Sequence, residues 1–162
     1  MGTQNYINNI ALVLDASTSM RPHASQVVKV ADEQIAYLAD RSKELDQETR
    51  ATVYTFGGYD SEFKCVFYDK DVLRLPSLSG HYKPEHGATA VIDATLHAMD
   101  DLAKTPELYG DHAFLTYVLT DGEDNHSTHR SLLSPRLSSM PENWTLGLLV
   151  PNQKGVFEAK GF

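Results

Sequence analysis

Ile10-Ala11-Leu12-Val13-Leu14, followed without a break by Asp15-Ala16-Ser17-Thr18-Ser19, is the stretch on which the fold turns. An unbroken apolar run leaves no polar face. A strand built from it is buried on both sides, as in a parallel sheet covered by helices. The run ends on an acid and a string of hydroxyls, so a hydrophilic loop sits at the strand's carboxyl end. Beyond the loop the hydrophobic period changes. Val27, Ala31, Ile35, Leu38 and Leu45 recur at helical spacing between about Pro22 and Leu45, with Lys29, Asp32, Glu33 and Arg41 between them. Pro22 suits the first turn of such a helix.

The alternation of strand and helix continues. Arg50 to Phe56 reads as a second strand, favoured by Val53, Tyr54 and Phe56. Gly57-Gly58 breaks the chain, and Glu62 to Tyr68 reads as a third strand. The connection between the two is too short for a helical crossover, which predicts an antiparallel hairpin. Leu75 to Gly87 is irregular. Thr89 to Ala103 reads as a helix with Ile92, Leu96, Met99 and Ala103 on one face. Ala113 to Leu119 is another apolar strand, Thr128 to Met140 a weak helix interrupted by Pro135, and Trp144 to Val150 a last strand ended by Pro151. This order predicts an α/β fold of Rossmann-like three-layer α/β/α type. The central sheet is mostly parallel, and the third of five strands is antiparallel at an edge. The tail from Asn152 to Phe162 reads as the start of a further crossover, cut short before a sixth strand. One domain spans 1–162.

Composition narrows the function classes. A net charge of −8 disfavours non-specific binding to nucleic acid or to anionic membrane. No stretch approaches the roughly 20 apolar residues that span a bilayer. Met1-Gly2-Thr3-Gln4-Asn5 carries no secretory signal pattern, and the single cysteine, Cys65, fits a reducing compartment. The expected location is therefore cytoplasmic. In Phe63-Lys64-Cys65-Val66-Phe67 the cysteine reads as a small buried apolar residue rather than a nucleophile. The glycosylation patterns at Asn125 and Asn143 read as chance matches in that setting.

Chemistry concentrates in three segments: Asp15-Ala16-Ser17-Thr18-Ser19, Gly87-Ala88-Thr89 and Thr120-Asp121-Gly122. The first and third follow buried strands. Loops at the carboxyl ends of parallel strands line the binding crevice, where strand order reverses. The second segment opens a helix and can reach the same rim. Asp15, Ser17, Ser19, Thr89 and Asp121 offer only oxygen donors, a set suited to Mg²⁺, with Mn²⁺ or Ca²⁺ also compatible. Alternation lets Asp15, Ser17 and Ser19 point into one crevice. Histidine and cysteine are not needed, which argues against zinc. If the neutral hydroxyls bind directly and the aspartates partly through water, the ion keeps most of its charge and an open position, which a carboxylate of a partner protein could fill.

The pattern Asp15-x-Ser17-x-Ser19, then Thr89, then Asp121 resembles the metal-ion-dependent adhesion site of von Willebrand factor A domains, including the inserted domains of integrins. Leu12 to Met20, Gly87 to Ala94 and Leu119 to Asp124 look especially like bacterial and phage members. The resemblance runs through nearly the whole chain in element order. It implies that Ser17, Ser19 and Thr89 are direct ligands, that Asp15 acts mainly through water, and that Asp121 binds directly or through water as the domain closes or opens. It implies a binding module rather than an enzyme, with a partner protein that presents an Asp or Glu. Bacterial relatives often work beside AAA+ ATPases or in larger complexes. Family members usually continue into a sixth strand and a final helix that moves on ligand binding, and this chain departs from that pattern.

Plainer readings compete residue by residue. Asp15 alone would be a helix cap and Asp121-Gly122 a turn pair; only the five oxygen residues together make a metal site. Glu123, Asp124 and Asn125 read as solvated loop residues. His126 and His129 lack an evident third ligand. His81 and His86 stand near the Thr89 segment and could touch a ligand, whereas Asp93 reads as serving the helix dipole or a loop hydrogen bond. The rival function is a metal-dependent phosphohydrolase with Asp15 as nucleophile. Against it, Ser17 stands where aspartate-nucleophile phosphatases usually carry their acid, and no phosphate-cradling glycine loop, nucleophile elbow or His-Glu-x-x-His helix is present. A third possibility is a structural domain whose metal only stabilises it.

Overall fold

The apolar run forms β1 (Tyr6–Asp15), with neighbours on both sides. The computed structural model describes residues 6–16, 18–56, 64–78, 82, 91–104, 111–120, 133–151 and 157–160. After β1 a short 3-10 turn (Thr18–His23) leads into α1 (Ala24–Glu44), then β2 (Glu48–Phe56) and β3 (Lys64–Asp71). A second 3-10 turn (Val72–Arg74) precedes α2 (Val91–Ala103), β4 (Asp111–Leu119), α3 (Leu133–Ser138), β5 (Trp144–Pro151) and β6 (Phe157–Lys160). The sheet order is β3-β2-β1-β4-β5-β6. β1 runs parallel to β2 and β4, and β4 parallel to β5, while β3 lies antiparallel on β2. The α/β fold, with its mostly parallel sheet and antiparallel β3 edge, is the one the sequence predicts.

Residue alternation along β1 divides the core into two layers. Ile10, Leu12 and Leu14 pack with Val27, Ala31 and Ile35 of α1. Ala11 and Val13 pack on the other side with Ala94, Ala98 and Leu102 of α2. Each fully buried Val, Leu or Ile contributes about 1.5–3 kcal/mol, so the side of the sheet on which each helix lies is strongly specified. On α2 the small Ala94 and Ala98 meet the sheet, and Thr95, Leu96 and Met99 are also buried. Ala103, expected on the apolar face, is exposed.

α1 begins one residue after Pro22's 3-10 turn rather than at Pro22, and it ends in a tight αL cap. Asp46 has φ 51°, the Gln47 amide donates to the Ser42 carbonyl at 2.9 Å, and the Asp46 amide donates to the Lys43 carbonyl at 3.4 Å. These are the paired bonds of a Schellman cap. Leu45 sits in this cap and is exposed rather than part of the apolar stripe.

Two expectations are corrected. The tail does not begin a crossover: Phe157–Lys160 returns as β6, antiparallel to β5, with Phe157 opposite Pro151 and Lys160 opposite Leu148. Pro151 is thus the last paired residue of β5 rather than a stop beyond it. Cys65 is exposed, not buried. The β2–β3 ladder slips between Ala51 and Val53 and again between Val53 and Tyr54, so Phe67 faces Val53 and Cys65 faces Tyr54. The irregularity shifts the side-chain alternation. Val66 and Phe67 pack toward the α1 layer, and Cys65 is left on the outer strand.

Candidate metal centre

Chain direction places the crevice. From β1 the chain goes through α1 to β2 on one side, and later returns to lay β4 on the other side of β1. The reversal point is therefore between the carboxyl ends of β1 and β4, the place where open α/β sheets bind ligands. Asp15 is the last residue of β1, and Thr120 follows the last residue of β4. Leu14 pairs with Leu119, so the next step in register sets Asp15 beside Thr120.

Both side chains are wholly buried. Thr120 Oγ1 donates to Asp15 Oδ2 at 2.7 Å. A carboxylate taken out of water is stable only with hydrogen-bond or charge partners, and this hydroxyl is one of them. The backbone around the pair is also tied down. The Ala16 amide donates to the Phe56 carbonyl at 2.7 Å, and the Thr120 amide to the Leu149 carbonyl at 3.1 Å. The ends of β2, β1, β4 and β5 thus form a continuous rim.

A fifth part of the chain reaches this rim. Asp32 of α1 accepts from the Ser77 hydroxyl at 2.5 Å and from the Leu78 amide at 2.9 Å. The Tyr82 amide then donates to the Leu78 carbonyl at 3.2 Å, and the Tyr82 hydroxyl donates to the backbone carbonyl of Asp15. Ser77, Leu78 and Tyr82 are in this way tied to α1 and to the end of β1. Tyr82 is buried among the α1-side core residues.

Of the five oxygen residues expected at the site, Asp15 is described in full. Ser19 lies within the first 3-10 turn, with its side chain outside the described residues. Ser17, Thr89 and Asp121 lie outside the described residues, as do His81, His86, Glu123, Asp124, Asn125, His126 and His129, and the side chain of Asp93. The described part of the set is one buried carboxylate at the reversal point, an oxygen donor of the kind that Mg²⁺ and Ca²⁺ take. Among the described residues no three His, Cys, Asp or Glu side chains cluster as a metal site. Thr120, quoted within the third segment but given no role there, and Tyr82 are supporting residues that sequence reasoning did not assign. Thr120 could have been found by aligning the two apolar strands, whose ends fall level.

A second cleft, of about 110 Å³, opens beside the amino-terminal halves of β1 and β2 and includes Arg50, Tyr68, Asp101 and Lys104 in its lining. Its charges are paired among themselves. Arg50 holds Asp69 at 2.7 Å and Glu48 at 3.0 Å, and Lys104 stands 3.5 Å from Asp101. The Tyr54 hydroxyl donates to Asp101 at 2.9 Å, and burial followed by this bond pushes its pKa well above the ordinary tyrosine value.

No known protein-family profile matches the chain, and no well-characterised protein matches it in sequence. Among solved structures it is similar to proximal thread matrix protein 1 from the mussel byssus, with a TM-score of 0.55 at 19% identity over 89% of this chain. A second crystal form of that protein gives 0.52 at 21% identity over 90% of this chain. The chain spans about a third of the mussel protein's length, 36% and 35% in the two comparisons. At these identities the likeness shows the fold alone. No described helix is long and apolar enough to cross a membrane.

Proposed function

We propose that this chain is a von Willebrand factor A-type domain that binds an acidic partner protein through one divalent cation, and that it is a binding module rather than an enzyme. The observation that supports this most is the wholly buried Asp15 carboxylate, held by Thr120 at the point where strand order reverses. On this reading Ser17, Ser19 and Thr89 hold the ion directly, and Asp15 and Asp121 support it, Asp15 mainly through water. A divalent cation bound there supplies a position that a partner's Asp or Glu oxygen can occupy. Mg²⁺ is the proposed ion, with Mn²⁺ or Ca²⁺ able to replace it. A cytoplasmic setting and a partner within a larger assembly, such as one built around an AAA+ ATPase, belong to the same proposal.

The test is affinity capture from the native host with and without EDTA, run beside Asp15→Ala and paired with calorimetric titration of the purified chain by Mg²⁺. A partner retained in Mg²⁺, released by EDTA and lost in the variant supports the reading. Phosphoester turnover abolished by Asp15→Asn would overturn it in favour of a hydrolase. A melting shift with Mg²⁺ but no cation-dependent partner would reduce the metal to a structural role.

A further inference from the structure

We propose that Thr120 is a positioning residue of the cation site, setting metal affinity through Asp15 without touching the ion. The inference rests on the cation-binding reading above and goes beyond it, since Thr120 was not among the residues expected to serve the ion. Its basis is the 2.7 Å bond from Thr120 Oγ1 to Asp15 Oδ2 between two side chains with no solvent exposure.

A carboxylate at a strand end can turn about its Cβ–Cγ bond. A hydroxyl fixed on one oxygen stops that rotation and sets the plane of the group before any ion arrives. Thr120 can play this part because its own backbone is fixed: its amide is bonded to Leu149 on β5, and it directly follows β4. It is also the covalent neighbour of Asp121. Partners that orient directly ligating groups contribute about 10- to 100-fold in metal affinity; because Asp15 acts mainly through water, the lower end of that range applies to Thr120.

The experiment is calorimetric titration of chelator-stripped chain with Mg²⁺ and, separately, Mn²⁺, using wild type, Thr120→Val, Thr120→Ala and Thr120→Ser. Circular dichroism of each metal-free protein checks the fold. Thr120→Val keeps the shape and removes the donor. Its affinity should fall by roughly 10-fold or more, while Thr120→Ser, which retains the hydroxyl, should stay within about three-fold of wild type. Thr120→Ala gives the same reading if the valine variant does not fold. Equal affinity in wild type and the hydroxyl-free variants would overturn the proposal and leave Thr120 a purely structural residue. So would a serine variant as weak as the valine one. Absence of any Mg²⁺ or Mn²⁺ binding by wild type would overturn the cation-binding reading itself, a result distinct from both.

Discussion

The Tyr82 hydroxyl donates to the backbone carbonyl of Asp15, a residue 67 positions earlier in the chain, and both residues are buried. With the Asp32 bonds to Ser77 and Leu78, this contact ties Ser77, Leu78 and Tyr82 to α1 and to the end of β1. Removing the hydroxyl in Tyr82→Phe leaves the ring in place and withdraws one donor from a buried carbonyl. The expected cost is about 1–2 kcal/mol of unfolding free energy, measured by urea denaturation. A variant as stable as wild type would show that Tyr82 contributes through its ring alone.

Thr116 lies in the middle of β4, 1% exposed, and its Oγ1 is the buried side-chain polar atom among the described residues that has no hydrogen-bond partner. A buried hydroxyl without a partner carries its desolvation cost uncompensated. Thr116→Val has nearly the same shape and should stabilise the protein by about 1 kcal/mol. Thermal unfolding checks this, and a lower melting temperature would mean that the hydroxyl is satisfied in solution.

Gly147 on β5 pairs with Tyr117 on β4. A Cβ at Gly147 would stand 2.9 Å from Tyr117 Cδ1 and 3.2 Å from Cε1, well inside ordinary contact. Gly147→Ala should therefore cost about 1–3 kcal/mol through overpacking. Adding Tyr117→Leu in the same chain should recover part of that loss. Equal destabilisation in the single and double variants would show that the tyrosine ring is not the obstacle.

The Tyr54 pKa is raised in the folded state, first by burial and then by its bond to Asp101. An unfolded tyrosine titrates near about 10. Below that pH both states keep the proton, and the contribution of the Tyr54–Asp101 pair is fully present. Above it the unfolded chain releases the proton first, so stability falls as pH rises. Tyr117, whose pKa burial also raises, acts in the same direction. Urea midpoints at pH 8 and pH 10.5 should separate more in wild type than in Tyr54→Phe. An unchanged separation would remove Tyr54 from the alkaline transition.

The parts of the fold that could be read from the sequence are those in which one physical cause dominates. Five apolar residues in a row at Ile10–Leu14 demand burial on both faces, and β1 is central. Gly57-Gly58 between two β-forming stretches demands a hairpin, and β3 is antiparallel on β2. Where causes compete, the reading failed. Phe157-Glu158-Ala159-Lys160 alternates as an edge strand should, but it is too short to stand out beside two glycines. Cys65 sits beyond a ladder irregularity that changes which residues face inward, and residue type alone does not reveal that shift. At the candidate centre, Asp15 stood out only as the first of the five oxygen residues in three segments, since alone it reads as a helix cap. Thr120 and Tyr82 did not, because their importance lies in what they touch, and those contacts span 105 and 67 residues.

That separation bears on how the protein assembles. β1 meets β2 across 41 residues and meets β4 across 105. Closing the longer loop costs about 0.8 kcal/mol more in chain entropy. The seam between β1 and β4 is thus expected to zip after the local β1–α1–β2 unit has formed. An intermediate caught at that stage would have a half-built core and no crevice, so a cation binding at the proposed site should leave the folding rate unchanged and slow only the return to the unfolded chain.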